Sequence, residues 1–421
     1  MMMHPLVVNA ATLFSGTAVA RVFSALIFFL MARQLGPDNF GLYLSSISLV
    51  KLWSVLFSLG LDNWLLRNGR IDKRPLSVAC GACLGIKVSL GGVWVIGFIL
   101  VAPYLKQTIF PKDLVILAAF IIWLEELANL ARSAFKSSMR NRITAGLVAA
   151  PQFLLLLITI LFVRLNIDSV QVYFVARLVT SFIGMFFSIF LVYYLIGIRL
   201  NYAEMALVLR DTRPFAASYG LSVIYERADI TIIVIYLGKT AAGLYGPAVT
   251  LMTTLFLIPQ AIYEVALPWM SRAYAKNPIS IPRRTFQLIF LSAFLGILLS
   301  VGMMLLARPL VLFIYGAEFA ESGDILVILS VILLFKSVSF ALASVITAVG
   351  WQSKRVIVQL VSAVLNVCLN LIFIQSFGLT GVAFIYIISE SVLTLGYLVY
   401  LLKWQRENPK LAASKVAESR Y

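Results

Sequence analysis

Charged side chains are scarce in this 421-residue sequence. Only 12% of the residues are Asp, Glu, Lys or Arg, whereas 61% are hydrophobic. A soluble domain carries about 25% charged residues, so this chain lacks the polar side chains that a water-facing surface needs. Its mean hydropathy of +0.97 and its long apolar runs are typical of helices that cross a lipid bilayer. The sequence is therefore that of an integral membrane protein.

Histidine and cysteine are also nearly absent, which limits the chemistry available to the chain. His4 is the only histidine, and there are three cysteines. Cys80 and Cys83 have C-x-x-C spacing, but they lie inside an apolar run without a second pair, so we interpret them as small helix-packing residues. The sequence has no D-x-D motif and no G-x-x-x-x-G-K-[ST] motif. We therefore predict no metal site, no cofactor and no enzymatic activity.

The apolar runs predict an all-α polytopic membrane protein with twelve transmembrane helices. Each run is too long and too continuously apolar for the alternating ten-residue strands of a membrane β-barrel. The runs divide into two sets of six, which predicts an N-terminal lobe over residues 1–200, a C-terminal lobe over 201–404 and a basic cytoplasmic tail over 405–421. The twelve runs cover approximately residues 7–32, 40–61, 76–102, 114–135, 144–164, 170–197, 214–237, 242–268, 285–306, 325–349, 355–376 and 380–402.

Acidic residues are few, with 18 against 34 basic ones, and the positions of the basic residues predict the orientation of the chain. We assign six of the 34 to the interiors of the runs and six to the odd-numbered loops, and count residues at the ends of runs with the adjoining loops, so the even-numbered loops and the tail hold the other 22. The loop after the fourth run, for example, is assigned Arg132, Lys136, Arg140 and Arg142. This asymmetry is the positive-inside pattern and predicts that both termini are cytoplasmic. It also predicts membrane lipids, not nucleic acid, as the partners of the net charge of +16.

A nine-residue pattern occurs twice at equivalent places. LGPDNFGLY begins at Leu35, and LGKTAAGLY begins at Leu237, 202 positions later. The first copy joins runs one and two, and the second joins runs seven and eight. The match indicates an internal duplication, in which two six-helix halves are parallel repeats.

The sequence resembles the polysaccharide-repeat (O-antigen type) flippases of the multidrug/oligosaccharidyl-lipid/polysaccharide exporter superfamily. The resemblance is carried by ARQLGPDNFGLY, RADITIIVIYLGKTAAGLYGPAVTL, FIYGAEFAES and GLTGVAFIYIIS, in this order along the chain. It implies two six-helix lobes around a central cavity in the bacterial inner membrane. It also implies alternating access that moves polyprenyl-diphosphate-linked oligosaccharide to the outer leaflet, with polysaccharide polymerase and chain-length proteins as further partners.

The six basic residues inside the runs are the candidates for contact with such a substrate. A charge at the centre of a membrane helix costs about 2.5–3.5 kcal/mol on insertion scales, so it should face a wet cavity or a partner. A cationic pocket offsets the desolvation of a diphosphate, and the planar fork of arginine binds phosphate bidentately. Alternatively, Lys87 or Lys336 forms an interhelical ion pair with Glu125, Glu126 or Glu264. The predicted substrate-binding residues are Arg21, Lys51, Arg177, Arg227 and Lys336.

Transport against a gradient needs a source of energy, and carboxylates buried in membrane helices can relay protons. Glu226 and Asp229 lie on the seventh run, and Glu264 lies on the eighth. We predict these three as ion-coupling residues and leave open which of them carries the ion. Glu125 and Glu390 are further options, although the spacing of Glu125 from Asn129 at i+4 and from Arg132 at i+7 fits a structural role equally well.

Two other functions compete with that of a lipid-linked oligosaccharide flippase. The first is a drug or small-molecule antiporter of the same superfamily. A cavity for cationic drugs should be rich in carboxylates, and the first half of this chain has instead four basic residues within its runs. The second is a membrane enzyme of polysaccharide assembly, which would need a larger extramembrane catalytic segment than this sequence offers.

Overall fold

The computed structural model describes residues 3–69 and 75–407, without the side chains of residues 3–14 and of Glu226. All regular secondary structure in this part of the chain is helical, as the apolar runs predict. The chain divides into two compact units, Met1–Gly243 and Leu244–Tyr421. The predicted tail beyond residue 407 and the basic residues Arg70, Lys73 and Arg74 lie outside the described residues.

The described part of the first unit contains nine α-helices and the start of a tenth. They are α1 (Met3–Trp53), α2 (Val55–Ser58), α3 (Leu61–Asn68), α4 (Leu76–Val101), α5 (Lys112–Ser137), α6 (Asn141–Arg164), α7 (Val170–Leu195), α8 (Tyr202–Asp211), α9 (Arg213–Leu237) and α10 (Lys239–Leu255). The second unit continues with α11 (Leu257–Lys276), α12 (Ile281–Ile314), α13 (Ala320–Leu329), α14 (Ile332–Ala348) and α15 (Gln352–Glu407).

Eight helical stretches of the described chain are long and apolar enough to cross a membrane, or nine if the bent pair α13–α14 is one span. Two of the eight each contain two predicted runs joined end to end. The first has 44 residues and would be about 66 Å long as one straight helix, roughly twice the hydrocarbon thickness of a bilayer. Non-helical backbone at Gly36 divides this stretch, and non-helical backbone at Gly378 divides α15. Most of each predicted run is helical, with breaks inside the runs 40–61, 242–268 and 325–349. The count of twelve crossings stays a prediction.

The repeated nine-residue pattern forms two turns with the same backbone conformation. Gly36 has φ 69° and ψ 170°, and Gly238 has φ 90° and ψ 178°. This combination is accessible essentially only to glycine, which explains why both copies of the pattern have glycine at this position.

The two copies also touch each other reciprocally. A Cβ atom at Gly41 would lie 1.9 Å from the carbonyl oxygen of Lys239, and a Cβ atom at Gly243 would lie 1.9 Å from that of Pro37. Because 37 and 239, like 41 and 243, are equivalent positions of the repeat, the contact has the self-complementary form of a two-fold interface. The Asp38 carboxylate accepts a hydrogen bond from Thr240 and lies 3.6 Å from the Lys239 ammonium.

Each unit has its own apolar core. In the first, residues of α3, α4 and α5 pack around Trp64 and Phe135, and Cys80 and Cys83 belong to this core as small packing residues. In the second, α11, α14 and α15 pack around Met270 and Trp404. Large apolar side chains such as those of Phe186 and Phe313 remain exposed, as a lipid-facing surface requires.

The first compact unit is larger than the predicted N-terminal lobe. The prediction ends that lobe at residue 200, whereas the unit extends to Gly243 and includes α9. The physical reason is packing: α9 lies against α1, and the first turn of α10 approaches the backbone at Gly41 too closely for any side chain. The division into lobes at residue 200 stays a prediction.

Candidate functional site

A cavity of about 390 Å³ lies inside the first unit, with walls from α1, α5, α6, α7 and α9. Three arginines contribute to its wall, namely Arg132 of α5, Arg177 of α7 and Arg227 of α9. Glu125 is the one acidic residue among the described residues of the wall. The cavity therefore has an excess of formal positive charge and favours an anionic ligand.

Arg177 is held in place by groups from two other helices. Its Nε and Nη2 atoms donate to the two oxygens of Glu125 at 2.9 and 3.2 Å, and its Nη1 atom donates to the Tyr43 hydroxyl at 2.6 Å. The Ser181 hydroxyl donates to the same carboxylate at 3.3 Å. The side chains of Arg177 and Glu125 are 24% and 34% exposed, so this ion pair is accessible from the cavity.

Arg132 is a cationic group without a described carboxylate at ion-pair distance. Its guanidinium donates to the Asn129 side-chain oxygen at 2.5 Å and to the Leu147 carbonyl at 3.5 Å. The prediction that Arg132 lies in a loop is wrong, because α5 continues to Ser137 and carries this side chain into the cavity wall. Its spacing from Glu125 was the sequence signal for this placement, since i and i+7 lie on one face of a helix.

The rest of the wall combines neutral polar and apolar side chains. Ser24 of α1 donates to the side-chain oxygen of Gln152 on α6 at 3.1 Å, and Asn129 and Thr180 add further hydrogen-bonding groups. Ile27, Phe28, Met31 and Leu155 supply apolar surface. Such a wall can bind a ligand that has both anionic and hydroxyl groups.

A second polar cluster lies deeper in the first unit and is neutral as a whole. The Lys87 ammonium, fully buried, contacts Asp62 at 2.7 Å and Glu126 at 3.0 Å. Lys51 contacts the other Glu126 oxygen at 2.6 Å, and the Ser58 hydroxyl donates to the same carboxylate at 2.7 Å. Two lysines thus face two carboxylates.

The predicted substrate-binding residues do not all meet in one place. Arg177 and Arg227 line the cavity, whereas Arg21 is exposed on α1 and is not part of the wall. Lys51 belongs to the neutral cluster. Lys336 lies in the second unit, where its ammonium contacts the buried Glu390 carboxylate at 2.6 Å. The roles of these residues in substrate binding stay predictions.

The sequence offers interhelical ion pairs as an alternative role for Lys87 and Lys336, and both lysines form such a pair in the structure. Lys87 pairs with Glu126, one of the partners considered, and Lys336 pairs with Glu390, which was not among them. Burial favours such pairs because an unpartnered ammonium inside a membrane protein is costly.

The predicted ion-coupling carboxylates are also dispersed. Asp229 is half-buried on α9, two residues after Arg227. Glu264 is exposed on α11 and accepts a hydrogen bond from Gln260 at 3.2 Å. The side chain of Glu226 lies outside the described residues. Their coupling role stays a prediction.

Two curated proteins are similar to parts of this chain. The probable low-salt glycan biosynthesis flippase Agl15 of Haloferax volcanii is 28% identical over 184 residues, 42% of this chain and 38% of Agl15. The capsular polysaccharide biosynthesis protein CapF of Staphylococcus aureus is 23% identical over 201 residues, 48% of this chain and 51% of CapF. The matched regions thus span about half of the relatives' length or less.

Solved transporter structures share the fold over most of the chain. The lipid II flippase MurJ in an inward closed conformation superposes with a TM-score of 0.73 at 16% identity, covering 92% of this chain and 87% of MurJ. An inward-facing MATE family transporter of the MOP superfamily superposes with a TM-score of 0.71 at 15% identity, covering 94% and 95%. The family model described as polysaccharide biosynthesis protein matches residues 30–324, more than half of the sequence. The chain therefore belongs to the polysaccharide biosynthesis protein family and has the fold of the MOP superfamily transporters.

Proposed function

We propose that the protein is a flippase that moves polyprenyl-diphosphate-linked oligosaccharide from the cytoplasmic to the outer leaflet by alternating access. The observation that carries the proposal is the convergence of Arg132, Arg177 and Arg227 on one cavity inside the membrane-spanning part of the chain. Membership of the polysaccharide biosynthesis family, and the names of the relatives as a glycan biosynthesis flippase and a capsular polysaccharide protein, support this substrate class.

The chemistry of the cavity suits the head group of such a lipid. A diphosphate that enters a low-dielectric interior loses its hydration, and arginine guanidiniums replace the lost hydrogen bonds with charge-assisted ones. Asn129, Gln152 and Ser24 can donate and accept hydrogen bonds from sugar hydroxyls. The cavity volume of about 390 Å³ lies within the usual range of roughly 300–1,000 Å³ for small-molecule sites.

The charge of the cavity also distinguishes this proposal from the export of cationic drugs. Three arginines against one described carboxylate would repel a cation and leave it without counter-charge. We therefore place anionic lipid-linked sugar ahead of a cationic small molecule as the cargo.

We further propose that an ion gradient drives the cycle and that Asp229, Glu226 or Glu264 carries the ion. The basic loops place both termini in the cytoplasm in this proposal, and a bacterial inner membrane is the expected location. Polysaccharide polymerase and chain-length proteins would then receive the flipped repeat unit on the outer side.

The test is translocation of a lipid-linked oligosaccharide by the purified protein in liposomes. Because each arginine offsets part of the phosphate charge, we expect Arg132→Ala and Arg227→Ala each to reduce the rate at least about ten-fold, the equivalent of ~1.4 kcal/mol. Arg308→Ala is the matched control, since Arg308 is exposed and pairs with Asp324 outside the cavity. Wild-type rates for both cavity variants, at equal protein incorporation, would contradict the proposal.

A further inference from the structure

Glu125 occupies an unusual position for a cavity that is to receive an anion. Its two oxygens accept from the Nε and Nη2 atoms of Arg177, which are two of the donors that the guanidinium fork offers to a phosphate. The Tyr43 hydroxyl accepts a third hydrogen bond of this guanidinium, from Nη1. With Glu125 in place, the best phosphate-binding edge of Arg177 is therefore already filled.

Glu126, the next residue on α5, forms ion pairs that are closed off from the cavity. Glu126 is 2% exposed and is enclosed by Lys51, Lys87 and Ser58. Glu125, one position earlier on α5, is 34% exposed and opens onto the cavity. The carboxylate of Glu125 can thus leave its partner without exposing a dry, buried charge, whereas that of Glu126 cannot.

We propose that Glu125 is a resident counter-ion, which holds Arg177 while the cavity is empty and yields it to a phosphate group of the cargo. Binding is then an exchange of carboxylate for phosphate on one guanidinium. This inference rests on the proposed function, because it assumes that the cargo of the cavity carries phosphate.

The exchange follows from the relative strength of the two anions. A diphosphate carries more charge than a carboxylate and matches the same planar fork. Arg132 lies on the same face of α5 as Glu125 and donates to Asn129 and to the Leu147 carbonyl, so it adds a second cation for the diphosphate. When the diphosphate departs, Glu125 returns to Arg177 and spares the empty cavity an uncompensated charge. The glutamate therefore weakens binding and speeds release.

Binding of farnesyl diphosphate, a short polyprenyl diphosphate, to the purified full-length protein in detergent tests the exchange. We expect Glu125→Gln to bind this probe about ten-fold more tightly, the equivalent of ~1.4 kcal/mol, because the competing charge is gone. Glu125→Asp, whose shorter side chain holds the fork less well, should gain a smaller factor. In liposomes, Glu125→Gln should translocate lipid-linked oligosaccharide more slowly, since release is slower. Unfolding midpoints close to that of the wild type establish that the variants are folded.

The outcomes separate this inference from the proposed function. If Arg132→Ala and Arg177→Ala leave farnesyl diphosphate binding unchanged, the cavity is not a diphosphate site and both proposals fail. If these variants weaken binding while folded Glu125→Gln and Glu125→Asp bind no more tightly than the wild type, the exchange alone is wrong.

Discussion

Two consecutive glutamates on α5 show how far a residue's role depends on the helix face it occupies. Glu125 and Glu126 are chemically identical and about 100° apart around the helix. One meets Arg177 at the cavity, and the other meets Lys51 and Lys87 in the neutral cluster. The sequence offers ion pairing of Lys87 with either glutamate as an alternative, but it does not say which glutamate faces which helix.

The neutral cluster should be a main determinant of stability in the first unit. We predict that Glu126→Gln destabilises the protein by about 3–5 kcal/mol, because it leaves the fully buried Lys87 with one carboxylate fewer and also removes the partner of Lys51. Glu125→Gln is the matched control, since its carboxylate is partly exposed and the pair is correspondingly weaker. Thermal unfolding of both purified variants measures the difference. Equal loss of stability in the two variants would show that burial does not distinguish the pairs.

The cavity arginines mark the limit of sequence reasoning at the residue scale. Arg177 and Arg227 could be singled out because they interrupt long apolar runs. Arg132 was not predicted as a cavity residue, because it lies close to the end of its apolar run. The end of an apolar run does not show how many further turns the helix makes. Only the extent of α5 to Ser137 decides whether Arg132 belongs to a loop or to the cavity wall.

At the scale of elements, the repeated pattern around Gly36 and Gly238 predicts equivalent turns, and their matching backbone angles agree with this. What the pattern cannot predict is that the two copies meet. The close approach of Gly41 and Gly243 to the opposite backbone explains the second glycine of each copy. Because that glycine has no side chain, the two helix backbones can come close where they cross, as they do at small residues in membrane helix interfaces.

The crossing gives a second prediction of stability. Gly41→Ala and Gly243→Ala should each destabilise the protein by about 1–3 kcal/mol or more, because the added methyl group meets a backbone carbonyl that cannot rotate away. Gly97→Ala is the matched control on α4, where an added Cβ would meet nothing within 4 Å, and it should be neutral or slightly stabilising. The measurement is the midpoint of thermal unfolding of each purified variant. If the crossing variants unfold like Gly97→Ala, the two backbones are not in close contact.

At the scale of the whole molecule, composition and the length of the apolar runs are sufficient for the all-α membrane class. A chain with so few charges has no other way to satisfy its backbone in lipid than through helices or a closed barrel. The boundary between the two compact units could not be predicted from the sequence, because it depends on the packing of α9 against α1 and not on the order of the runs.

The direction of the chain in the membrane is the remaining large-scale prediction, and it rests on the basic residues of the even-numbered loops. In a variant without the native cysteines, we expect Thr108→Cys, exposed in the loop before α5, to react with a membrane-impermeant maleimide in intact cells. Tyr202→Cys, exposed at the start of α8, should react only after the membrane is permeabilised, because the positive-inside pattern places this segment in the cytoplasm. Labelling of both variants in denatured membranes controls for expression. Labelling of Tyr202→Cys alone in intact cells would reverse the orientation, and labelling of both would mean that an odd number of crossings does not separate the two sites.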